Sequence, residues 1–314
     1  MTAFPVPRYL AETACRDHGV RAWIAGLPEI VAGLAGRWSL RVGEPFQPGG
    51  QCSWTAPVTG PYGDGLVLKV AFPGGEERDE AAGLRVWDGN GTARLHAACQ
   101  TEEAYALLLE RCAPGTPLGQ VLPEPDQDHV VAGLLARLWA PPHGAYAFRP
   151  LVQMYAAWAD GFEQDYAAAA AAERIDPGLA RAGIALFREL PQTAGERVLL
   201  ATDLHADNIL AAQRRPRLVI DPNPMSATPP TICSSTCSTA RTGWPPTRPG
   251  WPAGWRAWPG WTRAGCGIGC SPGVCRSRSA HRSCARWPGG SRPHSPPLGP
   301  SSSRWCVDGA PNAG

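Results

Sequence analysis

Leu199-Leu200-Ala201-Thr202-Asp203-Leu204-His205-Ala206-Asp207-Asn208-Ile209-Leu210 is the stretch on which the reading turns. Val198-Leu199-Leu200 is short and wholly apolar, which marks a buried strand candidate. Asp203 follows it, and Asn208 stands five residues after Asp203. A second apolar strand candidate, Leu218-Val219-Ile220, runs into Asp221, thirteen residues beyond Asn208. Gln213-Arg214-Arg215-Pro216 supplies the turn of the hairpin between them. A carboxylate at the end of an apolar strand can accept the proton of a hydroxyl. An Asn carboxamide oxygen and a second carboxylate are hard oxygen donors of the kind that Mg²⁺ takes.

Working towards the N-terminus, Lys69 is the one lysine among 314 residues. It sits near the end of an apolar strand candidate, Gly65-Leu66-Val67-Leu68-Lys69-Val70. Arginine carries the surface cations of this chain, so solubility does not account for a solitary lysine in such a strand. A compact ammonium is the side chain used as a point charge on phosphate. Asp203 and Asn208 between apolar strands match the D-x-x-x-x-N of kinase catalytic loops. Lys69, Asp203, Asn208 and Asp221 in that order form a joint pattern far more specific than any one of them.

The remaining text places these residues on elements. Trp23, Ile24, Leu27, Ile30, Val31 and Leu34 recur at helical spacing. Trp38 to Phe46, Ser53 to Val58, Gly65 to Val70, Arg94 to Ala97 and Tyr105 to Leu109 read as five strands, with Gly49-Gly50 at a turn. Glu77 to Trp87 reads as a helix, and Glu110 to Gly115 breaks the pattern as a hinge. Val121 to Trp139, Leu151 to Ala172 and Pro177 to Leu190 are helix candidates. The plan is α+β: a five-stranded lobe with a helix, a hinge, and a mainly helical lobe. The expected boundaries are 1–112, 113–224 and a tail over 225–314.

That tail differs in kind. Residues 1–224 hold 19 Lys+Arg and 26 Asp+Glu, a net of −7, whereas residues 225–314 hold 10 Arg and one acid, a net of +9. The acidic part excludes a generic polyanion binder, nucleic acid included. Within 225–314 stand 14 Pro, 13 Gly, 13 Ser, 7 of the 13 Trp and 7 of the 11 Cys, with Ile232, Ile268, Val274, Leu298 and Val307 as the only branched aliphatics. No helical or strand period survives, so this stretch is expected to be irregular. Cys233, Cys237, Cys266, Cys270, Cys275, Cys284, His281 and His294 lack a C-x2-C pair, which argues against a zinc module. Trp, Arg, Gly, Pro, Ser and Cys are what GC-rich DNA yields out of frame. Read with the third base of each codon joined to the first two of the next, starting at Pro224, the sequence permits Y-V-G-D-P-T-Y-D and then L-L-Q-H-L-L-N, a turn followed by a helix-like apolar run. The tail therefore reads as a frameshifted product.

With these strings in hand, the chain resembles the aminoglycoside phosphotransferases, in the streptomycin 6-kinase and hydroxyurea kinase branch. The resemblance runs over about residues 15–224. It rests on Leu199 to Ala206 with Asn208, on Leu218-Val219-Ile220-Asp221-Pro222, and on Glu80-Ala81-Ala82-Gly83-Leu84-Arg85 before Trp87-Asp88-Gly89. Leu107 to Arg111 before Pro114-Gly115-Thr116-Pro117-Leu118 supports it. The shifted-frame Y-V-G-D-P-T-Y-D is similar to what this branch carries after its D-P-K-P. The resemblance implies a bilobal protein-kinase-like fold, ATP and Mg²⁺ as cofactors, and a small aminoglycoside as substrate. Asp203 would be the base, and Asn208 and Asp221 the Mg²⁺ ligands. Lys69 would meet the ATP phosphates, paired with Glu80, and Glu110, Arg111 and Cys112 would present backbone groups to adenine.

Two departures stand out. Ala201-Thr202 occupy the place where many relatives have His-Gly, and Asp207 stands where Gly is common. His205 reads as a loop-packing residue rather than a base. No apolar run of about 18 residues and no basic, apolar leader occur, so neither a membrane span nor a secretory signal is expected. Unpaired cysteine spacing over Cys15, Cys52, Cys99 and Cys112 suits a reducing cytoplasm. An inactive frameshifted product, a nucleotide-binding pseudoenzyme, or a kinase for another small hydroxylated substrate is the alternative reading.

Overall fold

The computed structural model describes residues 4–73, 76–142, 146–169, 175–189, 192, 197–227 and 306–307. The chain divides into two compact units, the first of residues 1–115, 212–218 and 290–314, the second of residues 116–211 and 219–289.

The first unit is built on an antiparallel sheet. Its strands are β1 (Arg41–Val42), β2 (Ser53–Thr59), β3 (Gly65–Ala71), β4 (Leu95–Gln100) and β5 (Tyr105–Glu110). They lie in the order β1-β2-β3-β5-β4, and the two-residue β10 (Cys306–Val307) pairs with β4 at the edge. β3 is central and paired on both sides, with Lys69 opposite Thr55 of β2 and Leu107 of β5.

Alternation then decides which face each β3 side chain meets. Leu66, Leu68 and Val70 pack with Trp54, Ala56, Val58, Ala106 and Leu108 against α2 (His18–Arg37). From α2 come Val20, Trp23, Leu27, Val31 and Leu34, the stripe that the helical spacing predicts. Asp17 starts this helix by accepting a hydrogen bond from the Val20 amide at 3.0 Å. Val67 faces the other way, with Leu107, Leu109, Leu95 and Ala98, onto Ala81 and Leu84 of α3 (Glu80–Trp87). Lys69 shares that parity, so its side chain rises on the α3 face.

Two elements differ from expectation. The strand read over Trp38 to Phe46 is only Arg41–Val42: Pro45 has no amide hydrogen, and past Val42 the pairing with β2 continues as single bonds, from the Gly43 amide to the Pro57 carbonyl and from the Phe46 amide to the Thr55 carbonyl, both at 2.9 Å. The helix read from Glu77 begins as a 3-10 turn, Glu76–Asp79, and becomes α-helical at Glu80. A further helix, α1 (Arg8–Ala14), was not read from the sequence; it buries only Leu10.

The second unit holds α4 (Glu124–Leu138), α5 (Leu151–Ala168) and α6 (Pro177–Glu189). Tyr155 of α5 is buried and meets Phe187 of α6 edge-on, with centroids 5.1 Å apart. β6 (Val198–Ala201) is buried throughout and pairs antiparallel with β9 (Pro224–Ala227). β7 (Ile209–Ala211) and β8 (Arg217–Val219) form the predicted hairpin. Regular structure thus continues three residues past the compositional break, since Met225 and Ala227 are apolar and buried and their backbone completes the β6 ladder. Apart from residues 225–227 and 306–307, the tail lies outside the described residues, as does Leu190. No described helix is long and apolar enough to cross a membrane.

Candidate active site

In the first unit, Lys69 Nζ donates to Glu80 Oε2 at 2.5 Å, and the two side chains are 5% and 2% exposed. The pair arises from placement. β3 carries Lys69 onto the α3 face, and the 3-10 turn delivers Glu80 as the first residue of α3. A buried ammonium and a buried carboxylate are each costly alone and tolerable together.

At the end of β5, Glu110 is followed by Arg111 and Cys112, the residues of the expected hinge. The Glu110 backbone amide donates to the Arg94 carbonyl at 2.8 Å, and the Glu110 carboxylate accepts from the Arg94 amide at 2.9 Å. Arg214 Nε reaches both carboxylate oxygens, at 2.9 and 3.1 Å. Burial alone would raise the Glu110 carboxyl, but the hydrogen bonds from Arg214 and from the Arg94 amide, with both charges, hold it below the usual carboxylate range. Burial, with the Glu110 charge beside it, pushes the Cys112 thiol up to about 11. Arg214 was read from the sequence as a turn residue only. One Arg in an Arg-rich turn carries no signal that separates it from its neighbours.

In the second unit, the loop after β6 brings Asp203 and Asn208 together. Asn208 Nδ2 donates to the Asp203 carbonyl at 3.0 Å and to Asp203 Oδ2 at 3.1 Å. The short turn Ala206–Asn208 makes this possible, and His205 begins it by accepting from the Asp207 amide through Nδ1 at 3.3 Å. His205 Nε2 lies 3.7 Å from Asp203 Oδ1, a contact that is ionic only when the imidazole is protonated. The loop-packing role read for His205 accords with its Nδ1 contact. Asp207 itself is exposed.

Asp221 is brought next to this loop through the backbone, because the Ile220 amide donates to the Asn208 carbonyl at 2.9 Å. Asp221 and Asn223 have φ of 50° and 42°, in the left-handed region that few non-glycine residues adopt. Such conformations concentrate at sites that fix a functional group. Thr202, which departs from the more usual Gly, has a job here: its hydroxyl donates to the Asn223 carbonyl at 2.7 Å. That bond ties the start of the loop to the segment after Asp221.

The residues present suit the expected ion. Asn208 turns its amide nitrogen onto Asp203, which leaves the carboxamide oxygen as the opposite end of the group. With the Asp221 carboxylate it makes an all-oxygen donor set of the kind Mg²⁺ takes alongside water and phosphate. Among the described residues no group of three or more His, Cys, Asp or Glu is placed to hold a metal ion.

A family profile described as aminoglycoside/hydroxyurea antibiotic resistance kinase matches residues 37–228. The chain belongs to this family. It is 36% identical over 226 residues to a streptomycin 6-kinase of Streptomyces griseus, covering 71% of each chain. It is 35% identical over 230 residues to a hydroxyurea phosphotransferase of Kitasatospora aureofaciens, covering 71% of this chain and 65% of that one. Among solved structures it is similar to aminoglycoside phosphotransferase APH(4)-Ia in complex with ADP and hygromycin B, with a TM-score of 0.43 and 16% identity over 65% of this chain and 74% of that one. It is also similar to choline kinase LicA from Streptococcus pneumoniae, with a TM-score of 0.46 and 15% identity over 67% of this chain and 73% of that one. Membership makes the chain a phosphotransferase of the class that uses a hydroxyl acceptor.

Proposed function

We propose that this chain is an ATP-dependent kinase that phosphorylates a hydroxyl of an aminoglycoside, streptomycin at its 6-position. The observation that carries the reading is the Asp203–Asn208 pair, in which one amide fixes one oxygen of the carboxylate. Asp203 then orients an acceptor hydroxyl and takes its proton as phosphorus–oxygen bonding develops. Lys69, held by Glu80, places a positive charge on the phosphates, and Glu110, Arg111 and Cys112 offer backbone groups to adenine. Asn208 and Asp221 would hold Mg²⁺, which when bound neutralises phosphate charge. The substrate class is supported by the streptomycin 6-kinase relatives and by the net charge of −7 over residues 1–224, which attracts a polycation.

In this reading residues 1–112 form the nucleotide-binding part and residues 113–224 the catalytic part. Cys15 and Cys112 are free thiols, and we place the protein in the cytoplasm. A second reading rests on the compositional break at residue 225 and the end of the family match at residue 228. On it the 314-residue chain is an inactive product or a nucleotide-binding pseudoenzyme, and its in-frame counterpart is the kinase. Incubating the purified chain with γ-labelled ATP, Mg²⁺ and streptomycin decides between them. Label in streptomycin supports the kinase. Nucleotide binding without transfer to streptomycin, hydroxyurea or hygromycin B supports the pseudoenzyme.

A further inference from the structure

Arg214 uses every nitrogen of its guanidinium. Nε donates to both oxygens of Glu110, NH2 to Glu110 Oε2 at 2.8 Å and to the Thr92 carbonyl at 2.9 Å, and NH1 to the Gly89 carbonyl at 2.8 Å. The Arg214 and Glu110 side chains are 21% and 16% exposed, so this is no loose surface pair. The acceptors come from three places in the first unit: the turn after α3, the loop before β4, and the last residue of β5. Gly89 is shaped to this contact. Its φ is +71°, and a Cβ there would stand 2.6 Å from Arg94 Cγ and 3.0 Å from Arg214 NH2.

We infer that Arg214 is a positioning residue for nucleotide binding, which fixes the end of β5 so that Arg111 and Cys112 present their backbone groups in one geometry. The inference rests on the kinase reading proposed above. Arg214 need not touch the nucleotide. It acts through Glu110, whose other contacts are the reciprocal bonds with Arg94, so the residue that enters the hinge is held from three sides. A planar fork with five donors can serve two carbonyls and a carboxylate at once, whereas a lysine ammonium is a single point with three donors. The requirement is therefore for arginine, not for positive charge.

The test uses the full chain and its R214M, R214K and K69M variants. A fluorescent ATP analogue with Mg²⁺ reports the dissociation constant, and amide hydrogen exchange reports residues 110–112 and the β2–β3 ladder. R214M should weaken nucleotide binding about tenfold, as loss of charged hydrogen bonds would. R214K should resemble R214M rather than the parent. In both, exchange should quicken at Glu110 to Cys112 while β2 and β3 stay protected. Unchanged affinity in R214M, with binding lost in K69M, overturns the role of Arg214 and leaves the kinase reading standing. Absence of nucleotide binding by the parent chain overturns both. Loss of protection throughout β2 and β3 in R214M and R214K overturns the inference, because Arg214 would then serve general stability.

Discussion

Lys69 Nζ and Glu80 Oε2 are 2.5 Å apart, and neither side chain reaches solvent to more than 5%. Removing one partner leaves the other charged and buried. K69M should therefore destabilise the first unit by about 3–5 kcal/mol, and E80Q by a comparable amount. The double variant K69M/E80L should recover much of the loss, since an apolar pair of similar size has no charge to strand. Urea unfolding followed by circular dichroism measures all three. A K69M chain as stable as the parent would show that the Lys69–Glu80 ion pair adds nothing to stability.

Asp203 and Asn208 invite a separation of chemistry from binding. D203N should lower phosphoryl transfer to streptomycin about 10²–10⁴-fold, the usual worth of a positioned base. Nucleotide affinity should stay near that of the parent. D221A should instead lose Mg²⁺-dependent nucleotide binding, because it removes a charged ligand. Labelled transfer to the drug and nucleotide titration with and without Mg²⁺ read the two effects. Full transfer by D203N would end the case for Asp203 as base.

Lys69 and the Asp203 loop were legible in the sequence for a physical reason, whereas the pairing of Lys69 with Glu80 was implied by the family resemblance. A charge inside an apolar strand and a carboxylate at the end of one are exceptions to burial, and exceptions stand out in a string. The α2 stripe was legible because its apolar period is long. Arg214 was not legible: its partners Gly89, Thr92 and Glu110 lie more than 100 residues away in the chain, and two of them accept through backbone carbonyls that have no sequence signature. The strand expected over Trp38 to Phe46 is shorter because Pro45 has no amide hydrogen to give the ladder, although the Gly43 and Phe46 amides still bond to β2.

Glu110 sets a pH dependence. Its folded-state carboxyl titrates below the usual range, so the native state favours the ionised form. The resulting stability is present above the unfolded carboxyl pKa and is lost as pH falls through the lower folded value. Melting temperature measured from neutral pH down to about pH 3 should fall less steeply for E110Q than for the parent. The difference should narrow towards the acid end, as the Glu110 carboxyl takes up its proton. Parallel acid limbs would mean that Glu110 contributes nothing to acid sensitivity.

Cys112 should be chemically quiet. With its thiol pushed up to about 11, almost none is thiolate at neutral pH, and the thiolate is the nucleophile. Cys15 is exposed, so iodoacetamide should mark it well before Cys112 in peptide mass mapping. In R214M the charge that opposes the shift is gone, so Cys112 should become no more thiolate-like. Any faster labelling there would report opening of the hinge rather than a change of acidity.

The tail yields the last prediction. Trp158 and Phe162, one turn apart on α5, are 43% and 42% exposed, and neighbouring exposed apolar side chains favour association. The shifted frame after Pro224 permits an apolar helix-like run, the kind of segment that covers such a face, whereas residues 225–314 as they stand hold five branched aliphatics. A chain corrected by one base at the Pro224 codon should bind less of the dye ANS, stay monodisperse at higher concentration, and phosphorylate streptomycin faster than the 314-residue chain. Substituting Trp158 by Ser should reduce ANS binding in the uncorrected chain and destabilise the corrected one more, because the indole, which already meets Tyr155 and Phe187, would there have its remaining surface covered as well. Equal dye binding and equal activity in both chains would mean that residues 225–314 are a working part of the protein and that the frame is intact.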